Sequence, residues 1–350
     1  MCDRNGSSNV REGILVGCGN PLLDISAIVP MDFLHKYSMN EDDAILAEDR
    51  HMPIYGELIE SFQADFLAGG SVQNSLRIAQ WILKQPKVAV FFGCVGKDRY
   101  AEILEEKARA AGLNVHYQVK EDVPTGTCAV LITGTHRSLC ANLAAANHFT
   151  IDHLEEPLNK AVVENAQYYY ISGFFLTVNP PSIMQVAKTA HTKNRPFLMN
   201  LSAPFISQYY MAPLLAVLPY VDIIFGNEAE AQAFAEAQSW PSGDLREIGK
   251  RLVAFDKLNT SKPRIAILTQ GCDPVLLFQQ DSVQEFPVTR LSEHEIVDTN
   301  GAGDAFVGGF LAQFVQGKSL DVCIRCGNYA AGHIIKNPGC TYAGEPQFVE

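Results

Sequence analysis

Asp298-Thr-Asn-Gly-Ala-Gly-Asp-Ala-Phe306 is a polar, glycine-rich stretch that joins an extended segment to a helix. The β-branched pair Ile296-Val297 precedes it, and apolar residues recur at helical spacing from Phe306 to Phe314. Gly301 and Gly303 are expected to adopt positive φ and to let a ligand approach closely. The first-turn N–H groups of a helix have no intrahelical partner and carry the positive end of its dipole. The stretch therefore predicts an anion site.

A carboxylate, that of Asp304, is predicted at the mouth of this anion site. It could take the proton from a hydroxyl while the amides hold the charge that develops on a transferred phosphoryl group. From these residues alone a structural interpretation is equally open, because Asp often caps a helix and paired glycines often only form a turn. A dinucleotide-binding turn fits less well, since it requires a third glycine where Phe306 stands.

Taken as a whole, the nine-residue stretch resembles the C-terminal signature of the ribokinase-like carbohydrate and nucleoside kinases. The resemblance implies that Asp304 is the catalytic base and that the amides of Gly301, Ala302 and Gly303 form the anion hole. It also implies one α/β unit over residues 1–350: an αβα sandwich around a mostly parallel central sheet, with a small β-sheet lid. The lid is expected from two segments, about 22–68 and 115–145.

The composition is that of a folded acidic protein, with 350 residues, 47% hydrophobic, 19% charged and a net charge of −12. A net negative charge disfavours binding to nucleic acid or to an anionic membrane. The opening Met1–Ser8 is polar, without the apolar core of a signal peptide, and no apolar run approaches 18 residues. We expect a cytoplasmic monomer, with a nuclear pool as an alternative, and no membrane or nucleic-acid partner.

Nine cysteines are scattered singly through apolar segments, which favours reduced thiols over a disulfide framework. Cys323 and Cys326 form a lone CxxC within a helical pattern, and no second pair or histidine cluster completes a zinc site. We expect no metal site built from His or Cys.

Two glycine- and amide-containing turns occur early in the chain. The apolar run Ile14–Cys18 predicts a buried strand that ends in the turn Gly19–Asp24, where Asn20 and Asp24 could bind a diol. An Asx-Pro turn is the structural alternative. Later, Asp65–Asn74 places a Gly-Gly turn before an amphipathic helix, without the lysine of a Walker phosphate loop.

Residues 127–143 have the pattern of a hairpin, with strands 127–133 and 137–143 and a turn at Gly134-Thr-His136. Since strand side chains alternate, Arg137, Leu139, Ala141 and Leu143 share one face. An apolar strip that ends in an arginine suits an aromatic base with a phosphate beyond it. An ordinary core face with a solvated arginine is the alternative.

From residue 167 onward, apolar strands alternate with helical segments, which predicts a parallel sheet covered by helices on both faces. Ligands of such folds bind beyond the carboxyl ends of the strands. Polar and glycine residues follow the four predicted strands at Gly173-Phe174, Ser202–Phe205, Gly226–Glu230 and Thr269–Gly271. We expect the residues that follow these four strands to lie around one ligand site. Asn227 and Glu230 could simply cap a helix, but a single carboxylate also suffices for a water-mediated Mg²⁺ site.

Further segments, among them Gly19–Ser26, Arg137–Asn147 and Asn200–Ser207, resemble the branch of this family that phosphorylates adenosine; the similarity runs from about Arg11 to Cys340. It implies adenosine and ATP as substrates, with Mg²⁺. The implied ribose contacts are Asn20, Asp24, Gly69, Gly70, Ser71 and Asn74. The implied adenine wall is Leu22, Leu46, Leu139, Ala141, Leu143, Phe174 and Phe205. Arg137 would neutralise phosphate charge. Around ATP and Mg²⁺, the implied residues are Asn227, Glu230 (to the metal, through water), Thr269, Gly271, Asn300 and Asn328.

Two positions depart from the family pattern: Ala44 stands where mammalian members carry Gln, and Asn328 where they carry His. These departures leave open a kinase for another nucleoside or for a sugar. A nucleoside-binding protein that has lost catalysis is a second alternative, which the intact Asp304, Asn300 and Glu230 disfavour. A dehydrogenase is disfavoured by Phe306.

Overall fold

A computed structural model describes residues 10–134, 136–241, 243–280 and 282–350. The polar opening Met1–Ser8 and Thr135 of the predicted hairpin turn lie outside these residues. The strands are β1 (Leu15–Cys18), β2 (Leu22–Ile28), β3 (Ala44–Leu46), β4 (Asp65–Gly69), β5 (Ala89–Gly96), β6 (Asn114–Lys120), β7 (Thr127–Thr133), β8 (His136–Asn142), β9 (Tyr168–Ser172), β10 (Phe197–Asn200), β11 (Ile223–Asn227), β12 (Ile265–Gln270), β13 (Asp273–Gln279) and β14 (Ser282–Phe286).

The helices of the described residues are α1 (Met31–Lys36), α2 (Pro53–Ser61), α3 (Ser71–Leu83), α4 (Arg99–Ala110), α5 (Ile151–Glu155), α6 (Pro157–Asn165), α7 (Pro180–Thr192), α8 (Pro204–Tyr209), α9 (Met211–Val217), α10 (Glu228–Ala237), α11 (Leu245–Ala254), α12 (Ala302–Phe314) and α13 (Leu320–Ile334). Five short 3-10 turns complete them at Asp49–His51, Ala144–His148, Gly173–Thr177, Leu218–Tyr220 and Glu293–Glu295.

Nine strands form a large sheet in the order β14-β13-β12-β11-β10-β9-β1-β5-β6. The strands from β12 to β6 pair in parallel, and β13 and β14 add an antiparallel edge. A second sheet of five strands, here called the small sheet, has the order β3-β8-β7-β2-β4. The predicted α/β fold, with a mostly parallel sheet and a smaller second sheet, is confirmed.

Helices cover both faces of the large sheet because its buried strands carry apolar side chains on both sides. Residues of α5 to α11 pack against one face, and residues of α3, α4, α12 and α13 pack against the other. Phe310 of α12 packs edge-on against Phe225 of β11, with ring centroids 5.1 Å apart. A Cβ atom at Gly308 would lie 2.5 Å from the Ser75 carbonyl oxygen. The absence of that atom lets α12 approach α3 closely, and the two helices begin at the same place.

The small sheet packs one face against α1 and α2 through a cluster that includes Ile25, Phe33 and Leu58. Its strands come from residues 22–69 and 127–142. The second segment of the predicted lid, expected from about residue 115, instead begins at β7, because β6 (Asn114–Lys120) pairs with β5 at the edge of the large sheet. β6 runs parallel to β5, and the chain crosses to the small sheet only after β6.

In the described part of the chain, no helix has the length and hydropathy needed to cross a membrane. The eight cysteines found there are unpaired, and both Cys323 and Cys326 are buried in α13.

Candidate active site

A cavity of about 490 Å³ lies between the small sheet and the carboxyl ends of β9, β10 and β11. Its floor is the turn that precedes α12. The structure brings most of the predicted site residues into this one cavity: Asn20, Leu22, Asp24, Leu46, Gly70, Ser71, Asn74, Arg137, Leu139, Ala141, Leu143, Phe174, Phe205, Asn227, Glu230, Asn300, Gly301, Ala302, Gly303 and Asp304. Gly69, Thr269, Gly271 and Asn328 are not among the residues that line it.

The turn at the start of α12 has the geometry of an anion site. Gly301 has φ of +78°, and a Cβ atom there would lie 2.8 Å from the Cβ of Cys340. The expectation of positive φ at Gly303 was wrong, because that residue already lies in the first helical turn of α12. A Cβ atom at Gly303 would meet nothing within 4 Å, so the space beside this amide is open. The Ala302 amide donates to the Thr299 carbonyl at 3.2 Å, so the neighbouring first-turn amides are the ones this turn offers to an anion.

Asp304 is held in the first turn of α12 by two donors from α3. Ser71 Oγ donates to Oδ1 at 2.7 Å, and Asn74 Nδ2 donates to Oδ2 at 3.1 Å. Burial raises the pKa of Asp304 to about 6, and these two hydrogen bonds limit the rise. A carboxylate with a pKa just below neutral is suited to general-base work, since it is ionised at pH 7 and still basic.

The polar wall of the cavity is built by Asn20, which follows β1, and Asp24, which lies in β2. Asn20 Oδ1 is buried without a hydrogen-bond partner, so this acceptor awaits a donor from a ligand. Burial, and then the negative charge of Asp304, raises the pKa of Asp24 to about 8. Gly70 has φ of +93° and contacts the Asn20 carbonyl so closely that a Cβ atom would lie 2.2 Å from its oxygen. Two buried acceptors side by side suit a vicinal diol.

Gly69 lies outside the cavity, and its contribution is steric. A Cβ atom at this position would lie 2.2 Å from Oδ1 of Asp24. Gly69→Ala is therefore expected to displace the Asp24 carboxylate and to raise the KM for the acceptor by about 10- to 100-fold, the value of one hydrogen bond to a charged group. Steady-state kinetics with varied acceptor would measure this change. Gly56→Ala is the matched control, because a Cβ atom there, in α2, meets nothing within 4 Å. Equal KM values for the two variants would contradict this role.

The opposite wall is apolar and comes from both sheets. Leu22, Leu46, Leu139, Ala141 and Leu143 approach from the small sheet, whereas Phe174 approaches from the 3-10 turn after β9 and Phe205 from the start of α8. The two phenyl rings have centroids 6.0 Å apart. The antiparallel pairing of β7 with β8 is as the sequence pattern predicted. Such a surface can bury a flat aromatic ring.

Arg137 reaches from β8 of the small sheet to the loop before α12. Its Nε lies 3.0 Å from Oδ1 of Asp298, and its Nη2 donates to the Val297 carbonyl at 2.6 Å. The Asp298 side chain is fully buried and also accepts from the amides of Asn300 and Gly339. No role was predicted for Asp298, although this residue opens the signature stretch. Its position before a glycine turn, two residues from Asn300, was the available signal.

The predicted donor side lies along the carboxyl ends of β11 and β12. Asn227 and Glu230 form a reciprocal cap: Asn227 Nδ2 donates to Glu230 Oε1 at 2.9 Å, and the Glu230 amide donates to Asn227 Oδ1 at 2.8 Å. Thr269 lies beside Asn227 in the strand register, and Gly271 follows with φ of +57°. Asn328 of α13 donates to the Pro287 carbonyl at 3.2 Å. Thr269, Gly271 and Asn328 do not line the cavity.

The residues around Glu230 fit a magnesium ion bound through water. In the described ranges no three His, Cys, Asp or Glu side chains are grouped to hold a metal ion directly. Mg²⁺ keeps several of its waters and takes one or two carboxylates together with substrate phosphates. Burial raises the pKa of Glu230 to about 7, and a nearby cation would offset that cost.

Several further residues line the cavity and were given no role: Asp42, Ser172, Thr177, Asn200 and Thr299, with Ile45 and Cys128 beside the apolar wall. Ser202, which follows a predicted strand, also lines the cavity. Ser202 has φ of +74°, which is strained for a residue other than glycine. Its Oγ accepts from the Gly173 amide at 2.8 Å and thereby ties the end of β10 to the turn after β9.

The chain matches the pfkB family of carbohydrate kinases over residues 32–347. Adenosine kinase 2 of Arabidopsis thaliana is 47% identical, over 98% of this chain and 99% of the relative. Adenosine kinase of Dictyostelium discoideum is 41% identical, over 97% and 99%. Among solved structures, Anopheles gambiae adenosine kinase in complex with P1,P4-di(adenosine-5) tetraphosphate has a TM-score of 0.95 at 59% identity, covering 97% of this chain and 100% of that chain. Schistosoma mansoni adenosine kinase in complex with 2-fluoroadenosine has a TM-score of 0.93 at 32% identity, covering 96% and 99%.

These matches agree with one another in family and in extent. They span nearly the whole chain and include both sheets and the turn before α12. The chain belongs to the pfkB family of carbohydrate kinases and, within it, to the adenosine kinases.

Proposed function

We propose that this protein transfers the γ-phosphoryl group of ATP to the 5′-hydroxyl of adenosine, giving AMP and ADP. The observation that carries the proposal is the position of Asp304. Its carboxylate stands in the first turn of α12, beside open backbone amides, in a cavity with one polar and one apolar wall. A proton acceptor, an anion site and a space that suits a nucleoside therefore lie together at the start of α12.

Each wall of the cavity binds one part of the nucleoside. Asn20, Asp24, Gly70 and Asn74 hold the ribose hydroxyls, and the apolar wall takes the adenine ring. This arrangement favours a nucleoside over a free sugar, because a small hydrophilic sugar leaves seven apolar side chains without a partner. The Anopheles gambiae relative bound a molecule with two adenosine groups joined by four phosphates, which is the size of an acceptor and a donor together.

The reaction follows from this placement. Asp304 takes the proton of the 5′-hydroxyl as its oxygen attacks the γ-phosphoryl group in line. The amides of Gly301, Ala302, Gly303 and Asp304 hold the charge that spreads over the phosphoryl oxygens. Arg137 contributes a guanidinium from the small sheet, whose charge is shared with Asp298. Phosphoryl transfer demands mainly such positioning and charge stabilisation.

Asn227, Thr269, Gly271, Asn300 and Asn328 form the donor side, along which ATP lies. Glu230 would hold Mg²⁺ through water, and the ion would supply charge neutralisation to the phosphates of ATP. One chain contributes every residue of this site, which supports a monomer as the working unit.

The test is ADP release with Mg-ATP and adenosine, other nucleosides, ribose or fructose as the acceptor. Turnover that depends on adenosine is the expected result. Turnover with a sugar alone would keep the family and overturn the acceptor. Saturable adenosine binding without turnover for any acceptor would indicate a nucleoside-binding protein.

The activity is expected to be lost on the acid side of neutrality. The pKa of Asp304 is raised to about 6, and a general base acts only when ionised. Lowering the pH through about 6 protonates this carboxylate, so kcat/KM falls about tenfold per pH unit below that point and reaches a plateau above about pH 7. The measurement is kcat/KM between pH 5 and 8.5 in buffers of constant ionic strength. A flat profile across that range would contradict Asp304 as the base.

A further inference from the structure

Arg77, in the second turn of α3, is a buried cation that none of the roles above uses. It is 8% exposed. Its Nη1 donates to the Ala68 carbonyl at 3.0 Å and to Asn74 Oδ1 at 3.3 Å, whereas its Nε has no partner. Across the residues that the structure describes, no Asp or Glu oxygen lies within 4.0 Å of its nitrogens. Burying a guanidinium without a direct counter-ion is costly, so a function that offsets the cost is expected.

The first consequence of this position concerns the carboxamide of Asn74. An arginine can only donate hydrogen bonds, so it requires the oxygen of that carboxamide to face it. The nitrogen, Nδ2, is then left to face Asp304, where it donates to Oδ2 at 3.1 Å. Without the guanidinium, the carboxamide is free to turn over. Its oxygen would then oppose the Asp304 carboxylate, and that contact favours a protonated Asp304.

The second consequence concerns charge. Asp24 and Asp304 are both buried, and the negative charge of Asp304 contributes to the raised pKa of Asp24. Arg77 lowers the pKa of Asp24, so its charge offsets part of that effect. Arg77 also acts on Tyr117 of β6 and on Cys340 and Tyr342 of the C-terminal segment, and Asp298 acts on Asp24. Burial raises the pKa values of Tyr117, Cys340 and Tyr342, so these three are neutral at pH 7.

We propose that Arg77 is a positioning residue for phosphoryl transfer: it orients the Asn74 carboxamide towards the base, and its positive charge offsets negative charge in the buried Asp24–Asp304 pair. The proposal rests on the proposed function, because it assigns to Arg77 the support of that reaction's base. It predicts a change in the pH dependence of turnover, which a merely structural arginine would not produce.

The experiment compares Arg77→Gln and Arg77→Lys with wild type, measuring kcat, KM for adenosine and kcat/KM against pH. In Arg77→Gln the acid limb of kcat/KM, the pH range over which protonation of Asp304 lowers activity, is expected to move up by about one pH unit. The loss of a nearby opposite charge and of an oriented hydrogen-bond donor both raise the pKa of a carboxyl group. At pH 7, kcat/KM should therefore fall about twofold, at pH 5 it should fall about tenfold, and at pH 8.5 it should recover. Arg77→Lys restores the charge, so its limb should stay within about 0.3 pH unit of wild type.

Arg264 provides the matched control, because it is also a buried arginine but lies away from the cavity. It is 1% exposed and donates only to backbone carbonyls, among them those of Val221, Leu252 and Leu218. Arg264→Gln should lower the melting temperature and leave the acid limb of kcat/KM unchanged. If the acid limb of kcat/KM did not move in Arg77→Gln, the inference would be overturned.

If Arg77→Gln does not fold, Arg77→Lys decides alone, and a shifted limb in that variant overturns the inference. These outcomes differ from failure of the proposed function, because in such a failure the wild-type protein itself would show no turnover with adenosine.

Discussion

Asp304→Asn should lower kcat by about 10²- to 10⁴-fold, the usual contribution of a general base. The substitution keeps the size of the side chain and an oxygen that can accept from Ser71 Oγ, and it removes the oxygen that accepts from Asn74 Nδ2. What is lost is a group that can take the proton of the attacking hydroxyl. The adenosine dissociation constant should change by no more than about threefold, because Asn20 and Asp24 hold the ribose from the other wall. Single-turnover kinetics and calorimetric titration would separate the two quantities.

Asp321→Asn is the control for that experiment. Asp321 also lies in the first turn of a helix, α13, but it is exposed and pairs only with Arg325. Its replacement should leave kcat unchanged. If kcat of Asp304→Asn remained at the wild-type value, Asp304 would have no part in proton transfer.

Arg137→Gln is expected to lower kcat by about 10²- to 10³-fold, as for the loss of a major transition-state hydrogen-bond donor. Arg137 is the charged side chain that the small sheet contributes above the anion site, where negative charge develops during transfer. The loss should fall on kcat more than on the KM for adenosine, because the charge acts in the transition state. Steady-state kinetics with both substrates varied would measure this.

Arg50→Gln supplies the comparison within the same part of the fold. Arg50 is exposed and pairs with Glu48 beside the small sheet, away from the cavity. Its replacement should change neither constant. If Arg137→Gln raised only the KM for adenosine, Arg137 would be a binding residue and not a stabiliser of the transferred group.

The parts of the fold that the sequence predicted well are those with local signals. The alternation of apolar strands and helical segments after residue 167 was sufficient to predict β9 to β12 and their parallel pairing. The glycine turn before α12 was visible because Gly301 and Asp304 stand next to a strongly apolar helix. Period-two alternation in β8 was also sufficient to place Leu139 and Ala141 on one face with Arg137.

The parts that could not be predicted depend on contacts between distant segments. The sequence of β6 is equally compatible with either sheet, and its pairing with β5 is decided by long-range register. Gly69 has a steric contribution that appears only once Asp24 lies opposite. Asp298 and Arg77 are ordinary charged residues in the sequence. Only their burial, and their contacts with Arg137 and Asn74, single them out.

The chain enters the small sheet twice, between β1 and α3 and again after β6, and each time returns to the large sheet. These two stretches carry Asp24, Arg137 and most of the apolar wall, whereas Asp304 and the glycine turn before it lie far downstream in neither. Apart from Arg137, the proposed base and anion turn are thus encoded separately from much of the proposed acceptor wall. Mutations in the two stretches that spare Arg137 can therefore alter which nucleoside is accepted while the base and the anion turn stay intact, so substrate range can diverge faster than the reaction itself.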